Sequence, residues 1–244
     1  MSSKVSALDF RYNSTDLVIT GGYAGLNMSK WNHDVDIANL DLALMGCTYR
    51  SSYIDDAIDF SASVNNLFNT VVGIVSICLK YEHLSIYSMD RTAAYPTGEL
   101  WFNTTTMMRP SYFGIGVNYV VEFNNDNHRW FNIFLGGDVG LFFTYGFQSQ
   151  NGYLTTGDKY YWVYNDFNAK NNLFWGGNIN IGGNYWITDR TGFEISGGYK
   201  MAKGAIDYKI TEHTDASKVG TDGWFEVDYS GFFIRGGIIL TIWN

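Results

Sequence analysis

The stretch FNIFLGGDVGLFFTYGF, residues 131–147, alternates with a period of two. Phe131, Ile133, Leu135, Val139, Leu141, Phe143, Tyr145 and Phe147 fall on one face, with Gly137 among them. Asn132, Asp138 and Thr144 fall on the other, with Phe134, Phe142 and several glycines. Successive side chains of an extended chain point to opposite faces, so this is a strand's pattern. Ordinary strands run about 3–10 residues, and this one continues past that range. One face is almost wholly oily and the other carries a carboxylate, so the fold must supply a different surrounding to each.

The same alternation recurs along the chain. In 112–124, Phe113, Ile115, Val117, Tyr119, Val121 and Phe123 oppose Gly114, Gly116, Asn118 and Glu122. In 172–188, Leu173, Trp175, Ile179, Ile181, Tyr185 and Ile187 oppose Asn172, Asn178, Asn180, Asn184 and Thr188. In 191–201, Phe193, Ile195, Tyr199 and Met201 oppose Glu194, Ser196 and Lys200. The N-terminal half is similar. Leu8, Phe10 and Tyr12 oppose Asp9 and Arg11, and Leu40, Leu42 and Leu44 oppose Asn39 and Asp41. Ile58, Phe60 and Val64 oppose Asp59, Ser61 and Ser63, while Val75, Ile77, Leu79 and Tyr81 oppose Ser76, Lys80 and Glu82. Residues 224–243 shift phase. Phe225, Val227, Tyr229 and Phe233 share the odd positions, then Ile234, Ile238, Leu240 and Ile242 take the even ones and Arg235 is the odd polar residue. A bulge near Gly231 reconciles the two phases, because one extra residue flips the alternation.

Short turns are expected at 31–34, 65–69, 124–129 and 189–191, and long polar connectors at 89–110, 149–170 and 211–223. Tight turns at one end and long loops at the other describe an up-and-down meander of about ten strands, with eight or twelve also compatible. No Pro/Ser-rich linker divides the chain, so residues 1–244 read as a single all-β domain.

Aromatic residues make up 18% of the chain and charged residues only 16%, against an average charged share of about 25%. A soluble exterior is richer in Lys and Glu than the polar face here. Ten faces of Phe, Trp, Leu and Ile also overfill a small barrel, whose interior has room for modest side chains. Turning the apolar face outward to lipid resolves both conflicts. A bilayer admits only helices or closed barrels, because the backbone finds no water there, and no apolar run is long enough for a spanning helix. The start, MSSKVSALDF, has no apolar h-region. Either the chain is not exported or Met1 stands where a signal peptide has been removed. Net charge is −8 with no basic patch, which argues against nucleic acid as a partner. Cys47 and Cys78 have no metal-ligand spacing and are as compatible with free thiols as with a disulfide.

The stretch NYWITDRTGFEISGGYK (184–200) resembles a hairpin of small, porin-like bacterial outer-membrane β-barrels, and GFFIRGGIILTIWN resembles their closing strand. That strand usually ends on an aromatic residue, whereas here Trp243 is penultimate and Asn244 last. The resemblance, strongest over 110–244, implies a closed antiparallel transmembrane barrel in the bacterial outer membrane. Its termini and short turns would be periplasmic and its long loops outside.

On this reading Arg11, Asp41, Asp59, Lys80, Glu82, Glu122, Asp138, Asn178, Asn180, Glu194, Lys200 and Arg235 line the lumen, with Asp9, Glu226 and Asp228. They form either a salt-bridge and water network or a narrow, cation-favouring pore. Outer-membrane lipid is then the surrounding partner, small solutes or ions the passing ones, and a monomer the expected state. A narrow channel or an envelope structural or adhesive protein, without enzymatic activity, is the expected function. Two alternatives stand beside it. One is a soluble lipocalin-like carrier. The other is a lipid-directed hydrolase, since His83 and Ser85 share a strand face on which imidazole could activate the hydroxyl. That pair resembles the H-x-S of outer-membrane lipid hydrolases, with Ile86 where an Asn commonly follows. His213 and Asp215, with Asp55 and Asp56, superficially offer an omptin-like protease set. The four histidines lie on separate segments, so neither a metal site nor a cofactor is expected.

Overall fold

The computed structural model describes residues 8–44, 53–70, 73–94, 100–125, 128–154, 159–166, 172–214 and 217–243. Its strands are β1 (Leu8–Gly25), β2 (Asp56–Thr70), β3 (Gly73–Ala94), β4 (Leu100–Asn125), β5 (His128–Leu154), β6 (Lys159–Asp166), β7 (Leu173–Trp186), β8 (Thr191–Thr214), β9 (Ser217–Asp228) and β10 (Gly231–Trp243). One helix, α1 (Ser29–Leu44), lies between β1 and β2.

Every pairing is antiparallel, and the sheet closes on itself through β1 and β10. The ten strands make a ring of 8. β7 pairs with the first part of β5 and β6 with its last part, so the two share one lane. β10 and β9 likewise share a lane along β8. Closure leaves no unpaired edge within the ring. Strands β3, β4, β5 and β8 run 22 to 27 residues, at least twice the 9–11 or so that a tilted strand needs to cross a bilayer. Their excess projects at the end with the long connections.

The period-two pattern is obeyed closely. The odd residues of β4, β5, β7 and β8 point outward. Trp175 is 72% exposed, Ile195 68% and Leu135 57%, and Leu79, Ile58 and Ile234 continue the same belt. Trp130, Tyr185, Phe123 and Trp243 ring the short-turn end, and Tyr23, Tyr87 and Tyr145 ring the other. The even residues of these strands point inward, apart from Trp130, which the register shift in the β4–β5 pairing turns outward onto Tyr185.

Four details differ from the sequence reading. Residues 31–34 are not a turn and 35–47 not a strand, for α1 occupies 29–44. Trp31, Val35, Ala38 and Leu42 recur every three or four residues, which fits a helix as well as Leu40, Leu42 and Leu44 fit a strand. Tertiary anchors decide between them. Trp31 packs on Phe225 at 5.5 Å between ring centroids, and Asn32 clamps the backbone of Ile54 from both sides. Second, Asn65–Asn69 lies inside β2, whose pairing with β3 runs unbroken to Thr70 and Gly73. Third, no flip occurs near Gly231. Val227, Tyr229, Phe233 and Arg235 all point inward, and the chain breaks between β9 and β10 at Tyr229 and Ser230 without changing phase. Alternation identifies two faces. It does not say that the inner one must be polar, and here the inner face of β9 is apolar. Fourth, the long polar connectors expected at 89–110, 149–170 and 211–223 are largely strand, taken up by the ends of β3, β4, β5 and β8 and by β6 and β9, because polar residues beyond the membrane zone can still pair across strands.

An eight-stranded barrel is just wide enough for side chains to fill it, and glycines make room for the largest. A Cβ at Gly114 would lie 2.1 Å from the Tyr112 hydroxyl, and one at Gly182 would lie 2.4 Å from the Phe134 ring. Gly21 points outward, where a Cβ would meet nothing nearer than 4.0 Å. Gly114→Val should therefore lower unfolding stability in detergent micelles by about 1–3 kcal/mol through overpacking, and Gly21→Ala should leave it unchanged. Urea titration followed by circular dichroism checks both, and equal midpoints for the two variants would contradict this packing.

Candidate functional site

The lumen is layered. At its waist sit Asp59 (β2), Lys80 and Glu82 (β3), Asp138 (β5), Lys200 (β8) and Arg235 (β10), all buried. Period-two placement puts each on the inner face, and strand pairing brings them to one level. Arg235 donates through Nε and Nη2 to Asp59 Oδ2 at 3.0 and 2.7 Å, and its Nη2 lies 2.5 Å from Glu82 Oε2. Lys200 pairs with Glu82 and lies 3.6 Å from Asp59. Lys80 bridges Asp138 at 3.2 Å and Glu82 at 3.5 Å. Tyr112 of β4 donates to Asp138 Oδ1 at 2.5 Å, and Asn178 of β7 donates to the same oxygen at 2.7 Å. Three carboxylates thus meet three cations. Such burial is tolerable only with this degree of mutual pairing, because isolated buried charge is costly.

The Phe233 ring lies against this layer, with the Arg235 guanidinium carbon 4.1 Å from its centroid and the Lys80 and Lys200 ammonium groups at 5.8 and 5.9 Å. From Phe233 toward the long-connection end the interior turns apolar. Leu84, Ile86, Met108, Tyr112, Phe142 and Tyr229 pack there with Leu26, Met28 and Ile54 from the segments flanking α1. At the short-turn end Val18, Trp186 and Ile239 form a second apolar cluster. Between that cluster and the waist lies a polar cavity of about 50 Å³.

Asp59, Lys80, Glu82, Asp138, Asn178, Lys200 and Arg235 therefore meet at the waist. Glu194, which accepts from Ser196 at 3.0 Å, and Asn180 line the cavity below it. Glu122 is half-buried on the inner face of β4. Arg11 lies in β1, with its side chain outside the described residues. Asp41 belongs to α1 and not to a barrel strand, so it is no lumen-lining strand residue. Glu226 faces α1, bridging Lys30 at 3.4 Å, and Asp228 caps the β9–β10 break by accepting from the Ser230 amide at 3.0 Å. Tyr112 and Phe233 were not expected in the site. Tyr112 was legible by its parity with Gly114 and Gly116, whereas the inward position of Phe233 was hidden by the assumed phase shift.

His83 sits half-buried on the outer wall, and its Nδ1 is bonded to Ser111 Oγ of β4 at 3.0 Å, not to Ser85. Ser111 is only 1% exposed. Asp55 accepts from Asn32, and Asp56 accepts from Tyr23. Asp215 and Cys47 lie outside the described residues, and Cys78 is a buried free thiol lining the cavity. Among the described residues no cluster of metal-binding side chains occurs.

No family model and no curated protein sequence matches the chain. Among solved structures it is similar to Neisserial surface protein A (NspA), at 11% identity and a TM-score of 0.42, over 95% of this chain and 100% of that one. It is also similar to the outer membrane protease OmpT from Escherichia coli, at 9% identity and a TM-score of 0.44, over 99% and 100% of the two chains.

Removing one member of the waist leaves its partners buried and uncompensated. Arg235→Met should cost about 3–5 kcal/mol, measured as a fall in the urea midpoint of the refolded protein, and an unchanged midpoint would mean that the layer is dispensable. Outside the barrel, Tyr53 donates its phenol hydrogen to Asp36, which holds its pKa above the usual value. That bond is present at neutral pH and is lost as pH rises through the raised value. Asp36→Asn should bring Tyr53 ionisation to lower pH, read as ultraviolet phenolate absorbance against a Tyr53→Phe background.

Proposed function

We propose that the protein is an integral barrel of the bacterial outer membrane, and that it serves as a non-enzymatic envelope or surface-binding element with a sealed lumen. The observation that carries this reading is the continuous filling of the interior: an apolar plug, a neutralised charge layer, a small polar cavity and a second apolar cluster, in that order. A conducting pore needs a connected aqueous path and sites that ions leave easily. A cavity of about 50 Å³ beneath a packed charge layer and an apolar plug supplies neither. The same volume is far below the roughly 300–1,000 Å³ of ligand pockets, which disfavours a lipocalin-like carrier. The exposed belt of Trp, Ile and Leu favours a lipid surrounding over water. Both described termini and the short turns then lie on the periplasmic side. The tall β3–β4, β5–β6 and β8–β9 hairpins rise outside, where they offer the surface for a partner. The closed ring presents no edge for strand pairing in the membrane, which supports a monomer.

The lipid-hydrolase reading finds less support. His83 is engaged by a serine with almost no exposed surface, and Ser85 is left out of that bond. An acyl-transfer nucleophile must be reachable by its ester and bonded to its base.

Two measurements test the proposal. In planar lipid bilayers the refolded protein should give no unitary conductance steps, and stable steps that scale with salt would overturn the sealed-lumen reading. Mixed micelles of phospholipid or lipid A should show no fatty-acid release. Release that is abolished by Ser85→Ala or Ser111→Ala would instead establish an enzyme.

A further inference from the structure

A lipid-facing wall is apolar by default, because polar side chains there find no water. The outer wall of β3 and β4 departs from this near the long-connection end. Arg109, Ser111, Phe113 and Ile115 follow one another at the outward positions of β4. Strand pairing sets Arg109 opposite Tyr145, Ser111 opposite His83, Phe113 opposite Tyr81 and Ile115 opposite Leu79. His83 Nδ1 and Ser111 Oγ are bonded at 3.0 Å, and the Tyr81 hydroxyl lies 3.5 Å from the same oxygen. Arg109 is exposed and pairs with no carboxylate among the described residues. Toward the short-turn end an open groove of about 790 Å³ follows on the outer wall, bordered by Leu79, Tyr81, Phe113, Ile115, Leu141 and Trp175. Its floor is the backbone of inward-facing residues such as Lys80, whose ammonium group is spent on Asp138 and Glu82 inside the barrel. Outward positions two residues apart on a strand are about 7 Å apart. A cation, a hydrogen-bonding pair and an apolar groove therefore succeed one another at the spacing of a membrane lipid's phosphate, ester and acyl chain.

We propose that this strip binds one glycerophospholipid from the leaflet at the long-connection end. The inference rests on the reading of the chain as a membrane barrel. The phosphodiester accepts from the Arg109 guanidinium, whose paired donors suit a phosphate. When Nδ1 of His83 accepts the Ser111 hydroxyl hydrogen, the imidazole carries its own hydrogen on Nε2, and an ester carbonyl accepts from it. One acyl chain lies in the groove against Trp175. A single unpaired guanidinium matches a single phosphodiester, whereas a glycolipid with two phosphates would leave one unmatched. Arg109 lies at the level of Tyr145 in the upper aromatic girdle, where its long stem crosses apolar surface and its charge reaches the headgroups.

The test is to refold the full chain in uncharged micelles and titrate it with phosphatidylglycerol, with diacylglycerol of the same chains, or with lipid A. Native mass spectrometry counts the lipids retained. Phosphatidylglycerol should saturate at one molecule per chain, and diacylglycerol should not be retained. Arg109→Gln should weaken phosphatidylglycerol binding roughly tenfold, as loss of one charge-assisted hydrogen bond requires, and Arg109→Lys should recover part of it. Equal retention by wild type and Arg109→Gln would overturn the proposal. So would retention of diacylglycerol as strong as that of phosphatidylglycerol, or a preference for lipid A. Circular dichroism of the same samples separates the two levels. A folded barrel that retains no phospholipid overturns this site alone, whereas a chain that forms no barrel in micelles overturns the membrane reading and the site with it.

Discussion

The bond between Arg235 and the carboxylates of Asp59 and Glu82 crosses the lumen at its waist. Through it β10, β2 and β3 are tied side chain to side chain, independently of their backbone ladders. Lys200 brings in β8, Lys80 and Asp138 bring in β5, and Tyr112 and Asn178 bring in β4 and β7. Only the β1 lane is absent from this layer, and it joins nearby through the Thr20–Ser61 hydroxyl pair at 2.7 Å. A ring closed by backbone hydrogen bonds alone fixes the neighbours of each strand. The charges across its centre add a constraint on register, because a one-residue slip would move a charge to the outer wall.

Everything above and below the waist follows from how that layer is sealed. Charges attract strongly only where water is excluded. Phe233 lies over the cations, and the plug of Leu84, Met108, Phe142 and Tyr229 continues from it. The plug in turn depends on the segments flanking α1, which place Leu26, Met28 and Ile54 inside. The one helix among the described residues is therefore tied to the lumen: its entry and exit segments complete the stopper, and its first turn docks on β9 through Trp31 and Lys30. Glycines complete the fit, since Gly114 and Gly182 lie where the Tyr112 and Phe134 rings need space.

Much of this was legible in the residues. Asp138, Lys80, Glu82, Asp59, Lys200 and Arg235 could be placed on an inner face because the alternation around each is clean, and strict period two is a local property of the backbone. Trp175, Ile195 and Leu79 could be placed outside for the same reason. Asp41 could not be placed, because three leucines at alternate positions are too short a pattern to exclude a helix. Phe233 points inward because it packs on the Arg235 guanidinium, and apolar side chains fill the lumen as well as cover the outer wall. Ser111 escaped notice beside His83 because its contact crosses two strands, and cross-strand register is not written in either strand alone.

The sequence by itself determined that the chain is built of long two-faced strands, that one face is too oily and the other too sparsely charged for water, and that a closed barrel turned outward satisfies both. Those are consequences of period, composition and the backbone's need for hydrogen bonds, which are all local. Only the tertiary structure decided that ten strands share eight lanes, which charge meets which, and that the lumen is stoppered by apolar layers. It also decided that His83 and Ser111 meet on the outer wall beside an apolar groove. Those depend on ring closure and cross-strand register, which join residues far apart in the chain and have no signature in any one segment.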